Sequence, residues 1–139
     1  MLGLLPGGSK LIDLTVRGDE RGSLVAIEQL RQVPFEIARA YYIFGTLPGV
    51  VRGLHAHRRL SQFAISVCGS CEMLLDDGQN RTSIMLDDPA KGLLLPPMVW
   101  HEMSEFSPDC VLLVLAASYY DEADYIRSYE QFRQLVTPE

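Results

Sequence analysis

The chain is poor in cysteine, in basic runs and in long apolar stretches. Its three cysteines, Cys68, Cys71 and Cys110, are odd in number and cannot form a complete disulfide framework. A reducing cytoplasm fits that usage. Lysine and arginine total 12 against 18 aspartates and glutamates, a formal net charge of −6, and no Lys/Arg run occurs. Nucleic acid and anionic membrane surfaces are bound through clustered cations, so neither is expected as a partner, although a local cationic pocket remains allowed. The longest apolar stretch, Val111 to Ala117, has the length of a buried strand and not of a membrane span. At the N-terminus, Leu2, Leu4 and Leu5 are interrupted by Gly3 and Pro6 and carry no preceding positive charge, unlike a secretion signal. Repeats, low-complexity tracts and linkers are also missing. The 139 residues read as a single domain over 1–139. A chain of this length buries about two-thirds of its unfolded surface and needs no disulfide or metal to hold a core.

Short apolar segments alternating with turn signals make up almost the whole chain. The segments are Lys10–Val16, Ser23–Glu28, Ile37–Phe44, Val50–Ala56, Ser61–Cys68, Cys71–Asp76, Thr82–Leu86, Gly92–Leu95, Val99–Ser104 and Cys110–Ala117. Turns such as Leu47-Pro48-Gly49, Gly69-Ser70 and Asp76-Asp77-Gly78 supply the fixed or positive φ that reverses a chain. Strands this short at such regular spacing predict an all-β antiparallel barrel or sandwich. Helix is confined to the C-terminus, where Ser128 and Gln131 form a capping box. The helix they open should carry Phe132 and Leu135 on one face and pack over a barrel end.

The stretch from Gly49 to Gly69 carries the chemistry. On a strand, residues two apart share a face, so His55 and His57 project together. On the next strand Gln62, Ala64 and Ser66 share one face, whose small side chains leave room for a ligand. Phe63, Ile65 and Val67 take the other face, which needs cover from a second sheet or a second subunit; a homodimer is therefore expected. The third histidine, His101, alternates with Val99 and Met103 on a later strand. Imidazole both ligates metals and titrates near neutral pH, so an HxH with a third histidine points to a site. Cys68-Gly-Ser-Cys71 spans a hairpin turn and not a helix N-terminus, which argues against a redox CxxC. Asp121, Glu122 and Asp124 read as caps of a turn, since no EF-hand spacing surrounds them.

Two segments resemble the cupin motifs: Gly49, His55-Ala-His57, Gln62 and Gly69 the first, and Pro96-x-Met98-x-x-His101 the second. The resemblance implies a cupin-like antiparallel β-barrel or jelly roll with a short C-terminal helix. Metallo-cupins use a carboxylate where this chain has Gln62, a poorer ligand for a divalent cation, although three imidazoles could still suffice. Five separated segments, within a likeness that runs from about Asp13 to Phe132, are similar to the sugar 3,4-ketoisomerases: Asp19 to Glu28, Arg39 to Phe44, Arg52 to His57, Val99 to Met103 and Tyr119 to Arg127. That family acts on dTDP-4-keto-6-deoxyglucose on the way to 3-amino-3,6-dideoxyhexoses of lipopolysaccharide or S-layer glycans. The related dTDP-sugar 3,5-epimerases share the Asp-x-Arg-Gly and Arg-Gly-x-His segments. Arg21-Gly22-Ser23 looks more like the branch that forms a galacto product.

The resemblance implies His55 as the catalytic base and His57 as its partner in proton transfer, with no metal and no nicotinamide, since the reaction has no net redox change. Tyr41, Gln62 and His101 are candidate donors to an enediolate. Arg52 and Arg21 suit the diphosphate through the planar guanidinium fork, and Arg39 either the nucleotide or an internal carboxylate. Regular alternation points Arg52 away from His55, so a β-bulge at Gly53 is expected to turn both into one pocket.

Overall fold

The computed structural model describes residues 5–137; Leu2, Gly3 and Leu4 lie outside them. Twelve strands are found among these residues. Five of them, β1 (Lys10–Asp13), β4 (Arg39–Phe44), β6 (Gln62–Cys68), β9 (Lys91–Leu95) and β11 (Val111–Ala116), form one antiparallel sheet in the order β1-β9-β6-β11-β4. A second sheet runs β12 (Tyr125–Ile126), β5 (Arg52–His57), β10 (Trp100–Ser104), β7 (Cys71–Asp76), β8 (Arg81–Leu86). The remaining two, β2 (Arg17–Asp19) and β3 (Gly22–Leu24), pair only with each other.

Strict alternation builds the interior. Ala64, Leu93, Leu95, Leu112 and Val114 of the first sheet meet Cys71, Met73, Leu75, Leu86 and Met103 of the second. Burial at this level contributes about 1.5–3 kcal/mol for each large apolar side chain. The three cysteines are free thiols. Burial pushes the Cys71 thiol up to about 12, which agrees with the non-redox reading of CxxC.

The outer face of the first sheet departs from expectation. Phe63 and Ile65 are fully buried, and their cover comes from the chain itself: Leu14, Val25, Ile27, Val33, Phe35 and Ile37 lie across them. Strand Ser23–Glu28 is accordingly cut short at Leu24, because Val25 and Ile27 pack on the sheet face instead of pairing at an edge. Farther along the same face, Tyr42, Phe44 and Val67 stay exposed.

Helix α1 (Tyr129–Val136) starts where the capping box placed it, with the Ser128 hydroxyl accepting from the Gln131 backbone N–H at 3.2 Å. Its inward stripe is Tyr129, Phe132 and Val136, while Leu135 is half exposed. Leu135 sits about 90° around the axis from the centre of that stripe, which corrects the predicted pairing with Phe132. The helix is also not an end cap. Phe132 packs on Ala56, Trp100 and Ile126, residues that alternate with the histidines and face outward from the second sheet.

Candidate active site

Strands β5 and β10 run antiparallel through the second sheet and set the three imidazoles together. The register pairs His101 with His55, then Glu102 with Gly53, which leaves Leu54 as an extra residue. This is the expected bulge. Gly53 at φ 84° and Leu54 at φ 57° both occupy the left-handed region. A Cβ on Gly53 would stand 2.9 Å from the His101 carbonyl oxygen, so glycine is required here for space as well as for φ. The bulge brings Arg52 and His55 to the same side, and both line one cavity of about 350 Å³ with Arg39, Tyr41, Tyr125 and Arg127.

Each imidazole is anchored through Nδ1. His55 donates to the Gly53 carbonyl oxygen at 2.8 Å, His57 to Asp124 Oδ2 at 3.2 Å and His101 to the Val99 carbonyl oxygen at 3.3 Å. A neutral ring that donates from Nδ1 carries its lone pair on Nε2. The rings of His55 and His101 meet edge-on with centroids 4.7 Å apart, and those of His55 and His57 at 4.9 Å. Their depths differ: His55 is half-buried at the cavity wall, whereas His57 and His101 are buried beneath it. Burial, the largest cause in each case, lowers all three pKa values. His57 falls to about 4 and His101 to about 3, with the neighbouring imidazoles adding to the effect and Asp124 opposing it at His57. The trio is therefore neutral at pH 7.

Gln62 is buried and donates from Nε2 to the Tyr41 hydroxyl at 2.9 Å, leaving the phenolic proton free to be donated into the cavity. Burial raises the Tyr41 pKa, so that proton is retained. Arg39 lies 5.3 Å from the centre of the Tyr41 ring, and no carboxylate among the described residues pairs with it; its Nε is buried and unpartnered. Arg21 is placed elsewhere. It sits on the β2–β3 hairpin, 85% exposed, bonded to Asp19 at 2.5 Å and outside the cavity lining.

The three histidine nitrogens lie within 4.8 Å of one another, a spacing from which a cation could be held after a small closure. The set nevertheless lacks the carboxylate of a four-ligand centre, because the amide of Gln62 stands at that position and is engaged with Tyr41.

Sequence reasoning named the segment Tyr119 to Arg127 but missed its contacts with the histidines. Asp121 does cap a 3₁₀ turn, accepting from the Ala123 N–H at 3.1 Å, but Glu122 pairs with Arg127 at 2.6 Å and Asp124 is buried behind His57. Tyr125 packs edge-on against His55 and His57, at 4.8 and 4.4 Å between centroids. The two-residue β12 that delivers these groups pairs Tyr125 with His57 and is too short to show any periodicity.

An antiparallel barrel with imidazoles in its floor and arginines at its mouth is a cupin-type site suited to an anionic ligand. Within that class, residues 7–137 match the family model described as FdtA: WxcM-like, C-terminal, and the chain belongs to that family. It is 51% identical over 128 residues to the TDP-4-oxo-6-deoxy-alpha-D-glucose-3,4-oxoisomerase of Aneurinibacillus thermoaerophilus, covering 92% of each chain. The crystal structure of a 3,4-ketoisomerase from Helicobacter canadensis is 46% identical and superposes with a TM-score of 0.89 over 92% of this chain and 96% of that one. A mutant of the Thermoanaerobacterium thermosaccharolyticum 3,4-ketoisomerase QdtA, crystallised with TDP-4-keto-6-deoxyglucose, is 39% identical, with a TM-score of 0.92 over 95% and 96% of the chains.

Proposed function

We propose that this chain isomerises TDP-4-keto-6-deoxyglucose to the 3-keto-6-deoxyhexose, with His55 as the base. What supports this most is the state of His55. It is the imidazole that lines the cavity, and its Nδ1–H is committed to the Gly53 carbonyl, so its Nε2 lone pair is available. The carbonyl at carbon 4 acidifies the proton on carbon 3. His55 removes that proton, the Tyr41 hydroxyl donates to the enediolate while the proton of the carbon 3 hydroxyl passes to the carbon 4 oxygen, and a proton returned at carbon 4 as the His55 imidazolium gives up its own completes the shift. His101 serves as an acceptor and not as a donor, since its one N–H is held by Val99. Arg39 and Arg52, neither of which has a carboxylate partner among the described residues, meet the diphosphate. Protonation at carbon 4 to a galacto product rests on Arg21-Gly22-Ser23 alone. The free thiols are read as those of a cytoplasmic protein; among the described residues no helix is long and apolar enough to cross a membrane.

A 3,5-epimerase starts from the same kind of base but exchanges carbon 5 as well. In deuterated water the isomerase reading requires label at carbon 4 of a product whose carbon 3 is the ketone, and label entering at carbon 5 with the ketone still at carbon 4 would replace it with epimerisation. The grouping of the three histidines favours a metallo-cupin as the second reading. Stoichiometric iron, nickel or manganese in the purified protein, with activity lost to chelator, would establish it.

The charge state of His55 sets a pH dependence. Burial disfavours its imidazolium, so the base form persists below the ordinary histidine value of about 6.5. The acidic limb of kcat/KM is expected below pH 6.5; a limb at or above that value would show that another group titrates.

The homodimer is proposed from exposed surface. Tyr42 and Phe44 form an uncovered aromatic pair, and a hairpin of two three-residue strands, every residue exposed, is marginal by itself. A second copy is the occupant that fits both, and it is the route by which Arg21 would enter a site. Sedimentation should give twice the chain mass. Mixing Arg21→Ala and His55→Asn proteins should recover up to about a quarter of wild-type activity, through heterodimers with one intact site. A monomer at assay concentration would remove both proposals.

A further inference from the structure

Among the buried charged residues, Asp124 has no part in the scheme above. Its carboxylate reaches the back of His57 across 67 positions of sequence and is almost fully enclosed. Oδ1 accepts the Arg59 backbone N–H at 2.8 Å; Oδ2 accepts the Leu60 backbone N–H at 3.2 Å and the His57 ring at 3.2 Å. Two backbone donors fix the carboxylate before the imidazole is considered, so its direction is set by the turn after β5 and not by the histidine. On the opposite side of the ring, Nε2 of His57 is buried with no hydrogen-bond partner in the protein. Buried polar atoms in folded proteins are almost always matched, and the partner of this one is supplied from outside the protein.

We propose that Asp124 is a positioning residue that locks His57 in the Nδ1–H tautomer and so presents its Nε2 as a standing acceptor for a substrate hydroxyl or a bound water. The assignment rests on the ketoisomerase reading for what is accepted, but not for the geometry. A carboxylate oxygen can only accept, and the ring nitrogen facing it must therefore carry hydrogen. The opposite tautomer would turn two lone pairs toward each other at Oδ2 and close the acceptor on the inner side. His55 and His101 take the same orientation from backbone carbonyls; at His57 alone the director is a side chain, and so can be changed by mutation.

The experiment is ¹⁵N NMR of histidine-labelled wild-type protein at pH 7.5, followed by Asp124→Asn. The wild type should show His57 Nδ1 protonated and Nε2 bare. In Asp124→Asn the amide oxygen keeps the shorter Arg59 N–H contact at 2.8 Å and the amide nitrogen takes the Oδ2 place, giving up the Leu60 N–H and donating to Nδ1, so the tautomer should invert, and kcat on TDP-4-keto-6-deoxyglucose should fall by about 10², within the range of a general acid–base contribution, with KM changed less than twofold. A wild-type His57 protonated at Nε2, a folded Asp124→Asn that keeps the Nδ1–H tautomer, or one with inverted tautomer and undiminished kcat, would overturn the assignment. If Asp124→Asn fails to fold, the wild-type spectrum decides alone. A wild type that shows the Nδ1–H tautomer but converts no substrate would refute the ketoisomerase reading and leave the positioning geometry standing.

Discussion

Replacing His55 by asparagine should leave a folded protein that binds TDP and isomerises TDP-4-keto-6-deoxyglucose about 10²–10⁴-fold more slowly, the span of a general base. The size of the effect follows from the lack of a substitute. His57 and His101 share the Nδ1 anchoring of His55 but are buried, whereas His55 is only half-buried. Neither is among the residues lining the cavity where His55 stands, so neither is placed at carbon 3 to take over its proton. Asparagine keeps a donor near the Nδ1 position that can still serve the Gly53 carbonyl, so the bulge should persist and binding should not move. Calorimetry with TDP and a progress curve by NMR separate the two quantities. An asparagine variant with more than a tenth of wild-type kcat would transfer the base to another residue.

Gly53→Ala is expected to damage both stability and turnover. A side chain in the left-handed region costs about 1–2 kcal/mol by itself, and here its Cβ would press on the His101 carbonyl oxygen at 2.9 Å. Relief comes from flattening the bulge, which restores regular alternation and separates Arg52 from His55. A displacement of about 1 Å at the reacting groups costs about 10² in rate, so kcat should fall by that order and the urea midpoint should drop. Leu54→Gly is the control. Leu54 is exposed at φ 57°, so glycine removes backbone strain without disturbing the cavity, and activity should stay within twofold. Wild-type kinetics in Gly53→Ala would mean that the bulge does not align the site.

Much of this was legible in the sequence because strands declare themselves by period. His55, His57 and Gln62 fell on their faces by alternation, and a residue type that tolerates positive φ at position 53 resolved the conflict over Arg52. Cover for Phe63 and Ile65 was not legible, because Leu14, Val25, Ile27, Val33, Phe35 and Ile37 lie on irregular chain outside the strands, laid on a sheet with no period to read. Asp124 and Tyr125 escaped for the same reason: their segment is a 3₁₀ turn and two strand residues, and its contacts with His57 are entirely non-local. Arg21 shows the complementary limit. A motif identified it, yet within one chain it lies outside the cavity.

The most direct test of the central claim is proton NMR of TDP-4-keto-6-deoxyglucose incubated with chelator-treated protein. Resonances of a TDP-3-keto-6-deoxyhexose should grow in at enzymatic rates, with solvent hydrogen at carbon 4. An unchanged spectrum from protein that is folded and binds TDP, or a product epimerised at carbon 5 with its ketone still at carbon 4, would contradict it.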